Sequence, residues 1–328
     1  MSRRFSVCNG DADGLCAAVQ WFMHEPGPVE LVTGLKRERA LLERVDARAG
    51  DEVNIFDLAL QPNLAALMRL LDSGFDHHAL VGELPHGALF EPHVDIVSDT
   101  CTSLVVDQRI GGACHGWALV GAYGDNLRAK ADRLAAGWNF SADDRNRLRR
   151  LGEVINYNAY GDDETDVHIR PAALYVILAR YRDPRDMMHH EAIVDDIEVV
   201  RRDDLQQGLA AVRQRLERGG GVHVLPDAPW SRRVSGVLAN ELANLEPSRA
   251  HAVLRARRGE GYMISVRAPL QAPHGADLLC SRFGGGGRAA AAGVDHLPVD
   301  ELDRFVAAFS CMDWADPLRN GQVPAAGA

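Results

Sequence analysis

RFSVCNGDADGLCAAVQWFM, residues 4–23, is the stretch of sequence on which the fold depends. Its first part, Arg4 to Cys8, is short and largely apolar, which is typical of a buried strand. The polar loop from Asn9 to Gly14 follows at once, and Leu15 to Met23 then has the composition of a helix. A strand that passes through a polar loop into a helix predicts the first half of a βαβ unit.

The same alternation of strand and helix continues beyond residue 23. Two further strands are predicted at Val29 to Thr33 and Glu52 to Phe56. Two further helices are predicted at Glu38 to Val45 and Leu64 to Leu71. This pattern favours an α/β fold whose N-terminal sheet is mostly parallel and flanked by helices. In such sheets, ligands bind at the carboxyl ends of the strands.

The chain, at 328 residues, is long enough for two domains that each have their own core. A charged helical pattern continues to about residue 200, and a run of three glycines interrupts the sequence at Gly219 to Gly221. We therefore predict an N-terminal domain, a helical linker, a smaller C-terminal α/β domain and a flexible tail, at 1–200, 201–221, 222–316 and 317–328.

Around and beyond the glycine run, the hydrophobic pattern predicts further elements. Leu205 to Leu216 has the pattern of an amphipathic helix, and Val234 to Leu245 that of a second helix. His251 to Ala256 and Tyr262 to Val266 flank a Gly259-Glu260-Gly261 turn, which predicts a β-hairpin.

Composition and charge exclude several classes of protein. No apolar run approaches the roughly 18 residues of a membrane span, so no membrane partner is expected. The net charge of −10 argues against a protein that coats long nucleic acid, which needs an extended basic surface. Six cysteines without CxxC spacing favour free thiols and a cytoplasmic location.

The charge is distributed unevenly along the chain. From Val222 to Ala328, 11 arginines balance 11 acidic residues and lysine is absent, so residues 1–221 carry the whole net charge of −10. Divalent metal ions would partly neutralise this acidic N-terminal part. Because the planar guanidinium group of arginine can donate two parallel hydrogen bonds to a phosphate, the C-terminal part suits a small phosphate ligand.

Acidic residues end apolar segments at separate points of the sequence. Asn9 and Asp57 both come directly after a predicted strand, so both are expected at the same edge of the sheet. Asp57 and Asp125 each follow an apolar run, where an acid is unfavourable unless it is paired or binds a metal ion. Together with the Asp76-His77-His78 tripeptide, these acids have the composition of a two-metal site.

Taken by itself, the Asp11-Ala12-Asp13-Gly14 loop has other interpretations. A calcium loop needs a glutamate at its twelfth position, where Gln20 stands. An aspartyl phosphatase usually carries threonine or valine where Leu15 stands. A polar turn that caps a helix is the third alternative.

Three other polar groups are interpreted separately. Lys36 and Arg37 follow a predicted strand and are interpreted as charges at the start of a helix, with contact to a phosphate as the alternative. Asn156-Tyr157-Asn158 is interpreted as packing between helices, with an approach to the site as the alternative. The run Gly284 to Gly287, followed by Arg288, lets backbone amides approach a phosphate, and a tight turn is the alternative.

The ordered set of motifs resembles the DHH phosphoesterase family. The matching segments are the Asn9 to Gly14 loop, Asp57, Asp76-His77-His78, Asp125 and, for the associated C-terminal domain, Phe283 to Gly293. The resemblance implies two α/β domains with the active site in the cleft between them. Members of this family include oligoribonucleotide and cyclic-dinucleotide phosphodiesterases, single-strand exonucleases, bisphosphonucleotide phosphatases and polyphosphatases, and they generally use manganese.

The resemblance also implies a set of metal ligands. Asp11 would bind one metal ion and Asp13 the other, while Asp57 would bridge both. His77 and Asp125 would complete the second site. Two Mn²⁺ ions per chain are expected, with Mg²⁺ or Co²⁺ as alternatives, because such ions accept carboxylate oxygen and imidazole.

Further residues would contact the substrate. His78 would donate a proton to the leaving oxygen, while Arg267, Arg288 and the glycines Gly285, Gly286 and Gly287 would bind a phosphate. Arg288 stands where the family usually has histidine. The arginine adds a permanent charge but cannot shuttle a proton.

Two more departures concern the metal site. Asn9 stands where the family usually has histidine, and it would offer only a weaker carbonyl ligand. Only residues 72–75 separate the tripeptide from the preceding predicted helix, so either that helix ends early or the usual strand before the tripeptide is curtailed.

These inferences predict a manganese-dependent phosphoesterase that hydrolyses short oligonucleotides or linear or cyclic dinucleotides, using a hydroxide activated by two metal ions. An exopolyphosphatase or a nucleotide bisphosphate phosphatase is the alternative within this class. A nucleotide-binding sensor that has lost efficient chemistry is the alternative from another class. The expected partner is a small phosphorylated substrate or a short single-stranded oligonucleotide. Both a monomer and a homodimer are compatible with the sequence.

Overall fold

The structure is a computed structural model that describes residues 2–72, 76–78, 90–91, 100–211, 213–215, 221–257 and 261–314. For the three shortest of these segments it describes the backbone alone. Contacts within the chain divide it into two compact units, Met1–Val200 and Arg201–Ala328. The predicted α/β architecture is confirmed, since each unit combines a sheet with helices.

The described strands of the N-terminal unit form one parallel sheet. In chain order they are β1 (Arg4–Asn9), β2 (Glu30–Gly34), β3 (Glu52–Phe56), β4 (Asp76–His78) and β5 (Phe90–Glu91). Their order in space is β2-β1-β3-β4-β5, and every neighbouring pair is parallel. Because β1 lies between β2 and β3, the residues that follow these three strands reach one edge of the sheet.

The helices of this unit are α1 (Ala12–His24), α2 (Leu60–Asp72), α3 (Thr102–Arg109), α4 (His115–Gly124), α5 (Arg128–Gly137), α6 (Ala142–Asn158), α7 (Pro171–Leu178) and α8 (Pro184–His190). Helix α9 (Ile193–Ala210) begins in this unit and ends in the second one. The first part of α1 is buried on every side, because it contacts β1 as well as α3, α4 and α6. The N-terminus of α1 is therefore held in the interior of the unit.

The first of two local predictions for the N-terminal unit is wrong. The helix expected at Glu38 to Val45 is reduced to one 3₁₀ turn at Leu41–Arg44. The side chain of Asn63 in α2 bonds the carbonyl of Arg39 and the N–H of Leu42, so these backbone groups do not join a helical ladder.

The second concerns the segment before the DHH tripeptide, which is short, as the sequence indicated. Helix α2 continues to Asp72, so it does not end early, and the tripeptide itself lies in strand β4 beside β3. Residues 73–75, between the two elements, lie outside the described residues.

The C-terminal unit contains a mixed sheet. Its described strands are β6 (Arg213–Arg215), β7 (Gly221–Leu225), β8 (His251–Arg257), β9 (Gly261–Arg267), β10 (Gly286–Arg288) and β11 (Ala291–Leu297), in the spatial order β10-β11-β9-β8-β7-β6. The helices are α10 (Pro229–Leu245), α11 (Ala276–Ser281) and α12 (Leu302–Cys311). Among these strands, β7 and β8 pair in parallel and the other neighbours are antiparallel, and α10 connects β7 to β8.

The two faces of this sheet bury separate apolar clusters. Val253 of β8 packs with α10 residues such as Leu238, while its neighbours Ala252 and Leu254 join a second cluster with Phe305 and Phe309 of α12. Successive residues of a strand point to opposite faces, so β8 is buried on both sides.

Predictions for the C-terminal unit are confirmed in part. The helix at Val234 to Leu245 lies within α10, and β8 and β9 form the predicted antiparallel hairpin. The helix predicted over Leu205 to Leu216 is confirmed as far as Ala210, where α9 ends, and is wrong beyond it, because Arg213–Arg215 pair with the edge of β7. The predicted helical linker therefore contains a strand, since pairing satisfies backbone groups at the edge of the sheet.

Several predicted features fall outside the described part of the chain. These are residues 259 and 260 of the hairpin turn and the tail at 317–328. Among the helices that are described, none is both long enough and apolar enough to cross a membrane.

Candidate metal site

The polar loop after β1 is held by its own side chains. The Oδ1 atom of Asp11 accepts a hydrogen bond from the N–H of Gly14 at 3.0 Å, which caps helix α1. The side-chain oxygen of Asn9 accepts one from the N–H of Asp11 at 3.2 Å. A Cβ atom on Gly14 would lie 2.3 Å from the carbonyl oxygen of Asn9, so the close turn requires glycine here. The capping alternative is therefore correct for Asp11, and it leaves the Oδ2 atom for another partner.

That partner is Lys36, which follows β2. Its Nζ atom lies 2.5 Å from Oδ2 of Asp11 and 3.2 Å from Oδ1 of Asn156, and 5.5 Å from the ring centre of Tyr160. Burial by itself would raise the pKa of Asp11, but the charge and hydrogen bond of Lys36 outweigh burial, and the pKa lies below its ordinary value. Asp11 is therefore a carboxylate at neutral pH.

Asp13 reaches from α1 to the start of α3. Its two carboxylate oxygens accept hydrogen bonds from the backbone N–H groups of Thr102 and Ser103, each at 2.8 Å. Burial raises the pKa of Asp13, and the charges of Asp125 and Asp11 raise it further. The helix N-terminus supplies positive partial charge, which makes this crowded position tolerable for an acid.

Asp57 directly follows β3 and has an unusual backbone. Its φ of +53° lies in the left-handed region, where aspartate is better tolerated than most residues. Burial raises the pKa of Asp57 well above its ordinary value, and the nearby carboxylates Asp11, Asp13 and Asp125 add to this rise. A strained, crowded acid is unfavourable for folding, and such features concentrate at functional sites.

Asp125 occupies the C-cap of α4, and its N–H bonds the carbonyl of Gly121 at 2.9 Å. A carboxylate at this end of a helix meets the negative end of the helix dipole, so helix stability does not explain it. Its charge raises the pKa values of Asp13 and Asp57. The four predicted acids therefore lie within electrostatic range of one another.

The donors of this cluster suit a divalent cation. Four carboxyl groups with one lysine leave negative charge in excess, and hard cations prefer carboxylate oxygen. In the segments with described side chains, however, no group of three or more His, Cys, Asp or Glu residues is arranged to hold a metal ion. To bind one, the acids would need a different arrangement of their side chains or ligands from other segments.

The backbone of the tripeptide lies beside the first part of β3. β4 pairs in parallel with β3, so that His77 is opposite Val53 and His78 is opposite Asn54, whereas Asp57 follows the carboxyl end of β3. The side chains of His77 and His78 are outside the described atoms, so their roles stay predictions.

The architecture is similar to that of solved structures. A DHH domain from a member of a family of ribosomal proteins has 12% sequence identity and a TM-score of 0.60, covering 94% of this chain and 86% of that one. Exonuclease RecJ bound to manganese has 18% identity and a TM-score of 0.54, covering 97% and 92%. The pGpG-specific phosphodiesterase PggH from Vibrio cholerae has 13% identity and a TM-score of 0.55, covering 94% and 97%.

The chain has the DHH fold. No protein-family model matches its sequence, and no curated protein matches it. Identities this low show a shared fold and leave the substrate open.

Lys36 belongs to the acidic cluster, which the favoured sequence interpretation did not predict. A charge at the start of a helix is wrong for this residue, because its ammonium group contacts Asp11. Its position directly after β2, at the same sheet edge as Asn9 and Asp57, is the sequence signal for this placement. Asn156 also contacts this lysine, so it approaches the site, which is the alternative to packing between helices.

In the C-terminal unit of the DHH fold, the glycine run forms an edge strand. Arg288 of β10 pairs with Ala291 of β11, which pairs with Arg267 of β9, so both arginines lie in one row across the sheet. Directly paired residues point to the same face. Asn240 of α10 accepts a hydrogen bond from Nε of Arg267 at 2.7 Å, which fixes that guanidinium.

Packing or backbone conformation requires glycine at some positions of the glycine run but not at others. A Cβ atom on Gly285 would lie 2.1 Å from the carbonyl oxygen of Gly293, and Gly287 has a φ of +148°, so strand packing and conformation explain these two. Gly286 has open space at its Cβ position and no positive φ. Neither packing nor conformation requires glycine at Gly286, which favours a role in ligand approach.

Proposed function

We propose that this protein is a divalent-metal-dependent phosphoesterase that hydrolyses short oligonucleotides or linear or cyclic dinucleotides, with Mn²⁺ as the preferred metal. The observation that carries the proposal is the convergence of Asp11, Asp13, Asp57 and Asp125, where burial raises the pKa values of Asp13 and Asp57 and the neighbouring carboxylates raise them further. Buried like charges are unfavourable unless a cation joins them, and two-metal phosphoesterases have this requirement.

Each acid has a role in this proposal. Asp11 and Asp13 would hold one metal ion each, Asp57 would bridge them, and Asp125 with His77 would complete the second site. When bound, such ions make water acidic enough to act as a nucleophile and neutralise phosphate charge. The hydrogen bonds that Asp13 accepts from α3 would fix its orientation, as outer-shell partners do at metal sites.

The chain's other groups would orient the phosphate and move protons. His78 would donate a proton to the leaving oxygen, and Asn9 would remain a weak carbonyl ligand. The buried position of Asp11 and Asp13 would exclude bulk water from their carboxylates. Exclusion of water strengthens the electrostatic contacts of a reacting phosphate.

The C-terminal unit would recognise a further phosphate of the substrate. Arg267, Arg288, the exposed Gly286 and Gly287 and the half-buried Gly285 would offer this phosphate arginine side chains and backbone amides. The similarity to an exonuclease and to a pGpG-specific phosphodiesterase agrees with a short nucleotide substrate.

The test is hydrolysis by the purified full chain after metal removal and resupply. We expect turnover of a generic aryl phosphodiester and of linear dinucleotides with Mn²⁺, weaker turnover with Mg²⁺, and none in EDTA. Cyclic dinucleotides, bisphosphorylated adenosine and polyphosphate should be assayed in parallel. Faster turnover of polyphosphate would favour the exopolyphosphatase alternative, and tight nucleotide binding without any turnover would contradict the enzyme and favour the sensor.

Replacing Arg288 with alanine should raise the KM for dinucleotides. The loss of one charge-assisted hydrogen bond corresponds to a change of about tenfold or more. The kcat/KM for a small aryl phosphodiester, which lacks a second phosphate, should stay unchanged. Arg249→Ala removes an arginine of the same unit that pairs with Glu246 outside the glycine motif, and it serves as the matched control. Equal effects of both replacements on the KM would contradict a specific role for Arg288.

A further inference from the structure

We propose that Lys36 is a tethered counter-cation that neutralises Asp11 in the metal-free protein and competes with metal ions for the Oδ2 atom of this aspartate. This inference rests on the proposed metal site, which it deepens. It assigns Lys36 a control over metal affinity, and the contacts of the lysine with Asp11, Asn156 and Tyr160 carry the argument.

The segment that presents Lys36 is held at several points. The N–H of Lys36 bonds the carbonyl of Ala159 at 3.0 Å, just beyond α6. The N–H of Leu35 bonds the carboxylate of Glu38 at 2.9 Å, and Arg37 pairs with Asp162 at 3.3 Å. Because these contacts fix the backbone on both sides of Lys36, only its flexible side chain is free to respond to a ligand.

The ammonium group of Lys36 occupies a position that a metal ion would need. Nζ lies 2.5 Å from Oδ2 of Asp11, whose other oxygen, Oδ1, already accepts the capping hydrogen bond from Gly14. The side chain of Asp11 is 4% exposed, so water does not easily replace this partner. A divalent ion that binds Oδ2 must therefore displace the ammonium or bind beside a positive charge.

Lys36 keeps other partners if it leaves Asp11. Its Nζ also contacts Oδ1 of Asn156 at 3.2 Å and lies 5.5 Å from the ring centre of Tyr160. An amide oxygen and an aromatic face both stabilise an ammonium group. If a metal ion displaced the ammonium group from Asp11, the ammonium group would keep Asn156 and Tyr160 as partners. Its charge would therefore stay stabilised, which makes the competition reversible.

The test is the affinity of the metal-free full chain for Mn²⁺, measured by titration calorimetry. Lys36→Met keeps the length of the side chain and removes its charge, and we expect it to bind Mn²⁺ about tenfold more tightly than wild type, the factor that one charge-assisted hydrogen bond represents. Lys36→Gln, which keeps a polar end, carries the same expectation if the methionine variant folds poorly. Lys36→Arg should stay near the wild-type affinity.

Thermal unfolding gives a second readout that does not depend on activity. In EDTA, Lys36→Met should unfold at a lower temperature than wild type, because Asp11 loses its counter-charge. Saturating Mn²⁺ should close most of this gap. Arg37→Met is the matched control, because Arg37 lies in the same loop but pairs with Asp162, and its Mn²⁺ affinity should not change.

The results separate this inference from the proposed function. If wild type and both charge-removing variants bind Mn²⁺ equally, or the variants bind it more weakly, Lys36 does not compete with metal and the inference alone is overturned. A raised KM for dinucleotides with unchanged Mn²⁺ affinity would likewise overturn it in favour of a phosphate contact. If neither wild type nor variants bind any Mn²⁺, the inference and the metal-dependent function are overturned together.

Discussion

Replacing Asp57 with asparagine is expected to reduce hydrolysis by orders of magnitude while making the metal-free protein more stable. Asparagine tolerates the left-handed backbone at this position, so the fold should be kept. Removing one partner of a buried charged pair costs about 3–5 kcal/mol, which corresponds to a loss of roughly 10²–10⁴-fold in kcat/KM if Asp57 bridges the metal ions. Initial rates with Mn²⁺ and a dinucleotide would measure this loss.

The opposite sign for stability follows from the electrostatics of Asp57. Burial and three neighbouring carboxylates raise the pKa of Asp57 in the folded protein, so its carboxylate opposes folding at every pH above the pKa of the unfolded chain. A neutral amide removes this opposition. The melting temperature in EDTA should therefore rise in Asp57→Asn relative to wild type.

The control for this prediction is another buried aspartate outside the cluster. Asp107 accepts hydrogen bonds from the N–H of Cys114 at 3.0 Å, and its other oxygen lies 2.6 Å from Nδ1 of His115. Asp107→Asn should lower the melting temperature, because it weakens these contacts, and it should leave kcat/KM unchanged. Retained full activity in Asp57→Asn would contradict the two-metal proposal.

The sequence predicted Asp57 because its signal is local. A strand of apolar residues that ends in an acid marks the carboxyl edge of a parallel sheet, and β3 followed by Asp57 has this arrangement. The same reasoning applies to β1 and the Asn9 to Gly14 loop. Strand, loop and helix each have a pattern within a few residues, so this part of the fold could be predicted without knowledge of long-range contacts.

Other features depended on partners far away in the sequence. Lys36 joins the cluster because α6 and the residue after it supply Asn156 and Ala159, which are more than a hundred residues distant. The helical pattern at Glu38 to Val45 is overridden by Asn63, whose side chain takes backbone groups of that segment. A local sequence pattern contains no information about partners so far away in the chain. Tertiary contacts with such partners can override a weak helix propensity.

Asp125 illustrates an intermediate case. Its position after an apolar run was recognised from the sequence, but that run forms α4 and the acid lies at the C-cap of the helix. Its proximity to Asp13 depends on how closely α4 approaches α1, and this distance is decided by glycines whose partners the sequence does not reveal. These glycines therefore provide the second test.

Replacing Gly152 with alanine is expected to destabilise the protein by about 3 kcal/mol, because overpacking at a backbone contact has this order of effect. A Cβ atom on Gly152 would lie 2.2 Å from the carbonyl oxygen of Val120 and 2.9 Å from the nitrogen of Gly124, so α4 and α6 touch through their backbones. Backbone atoms cannot rotate away as a side chain does. Urea unfolding of wild type and variant would measure the loss.

The matched control is Gly137→Ala, at the end of α5, where no atom lies within 4 Å of the added Cβ and φ is not positive. That replacement should be neutral or stabilise the protein by up to about 1 kcal/mol, since alanine favours helix.

Helix α4 is also held against α1, because a Cβ atom on Gly124 would lie 2.2 Å from that of Ala12. A shift of α4 by Gly152→Ala should therefore move Asp125 relative to Asp13 and weaken Mn²⁺ binding in the molecules that still fold. Wild-type stability in Gly152→Ala would show that the helices are further apart than this packing requires, and the close approach of Asp125 to Asp13 would lose its structural basis.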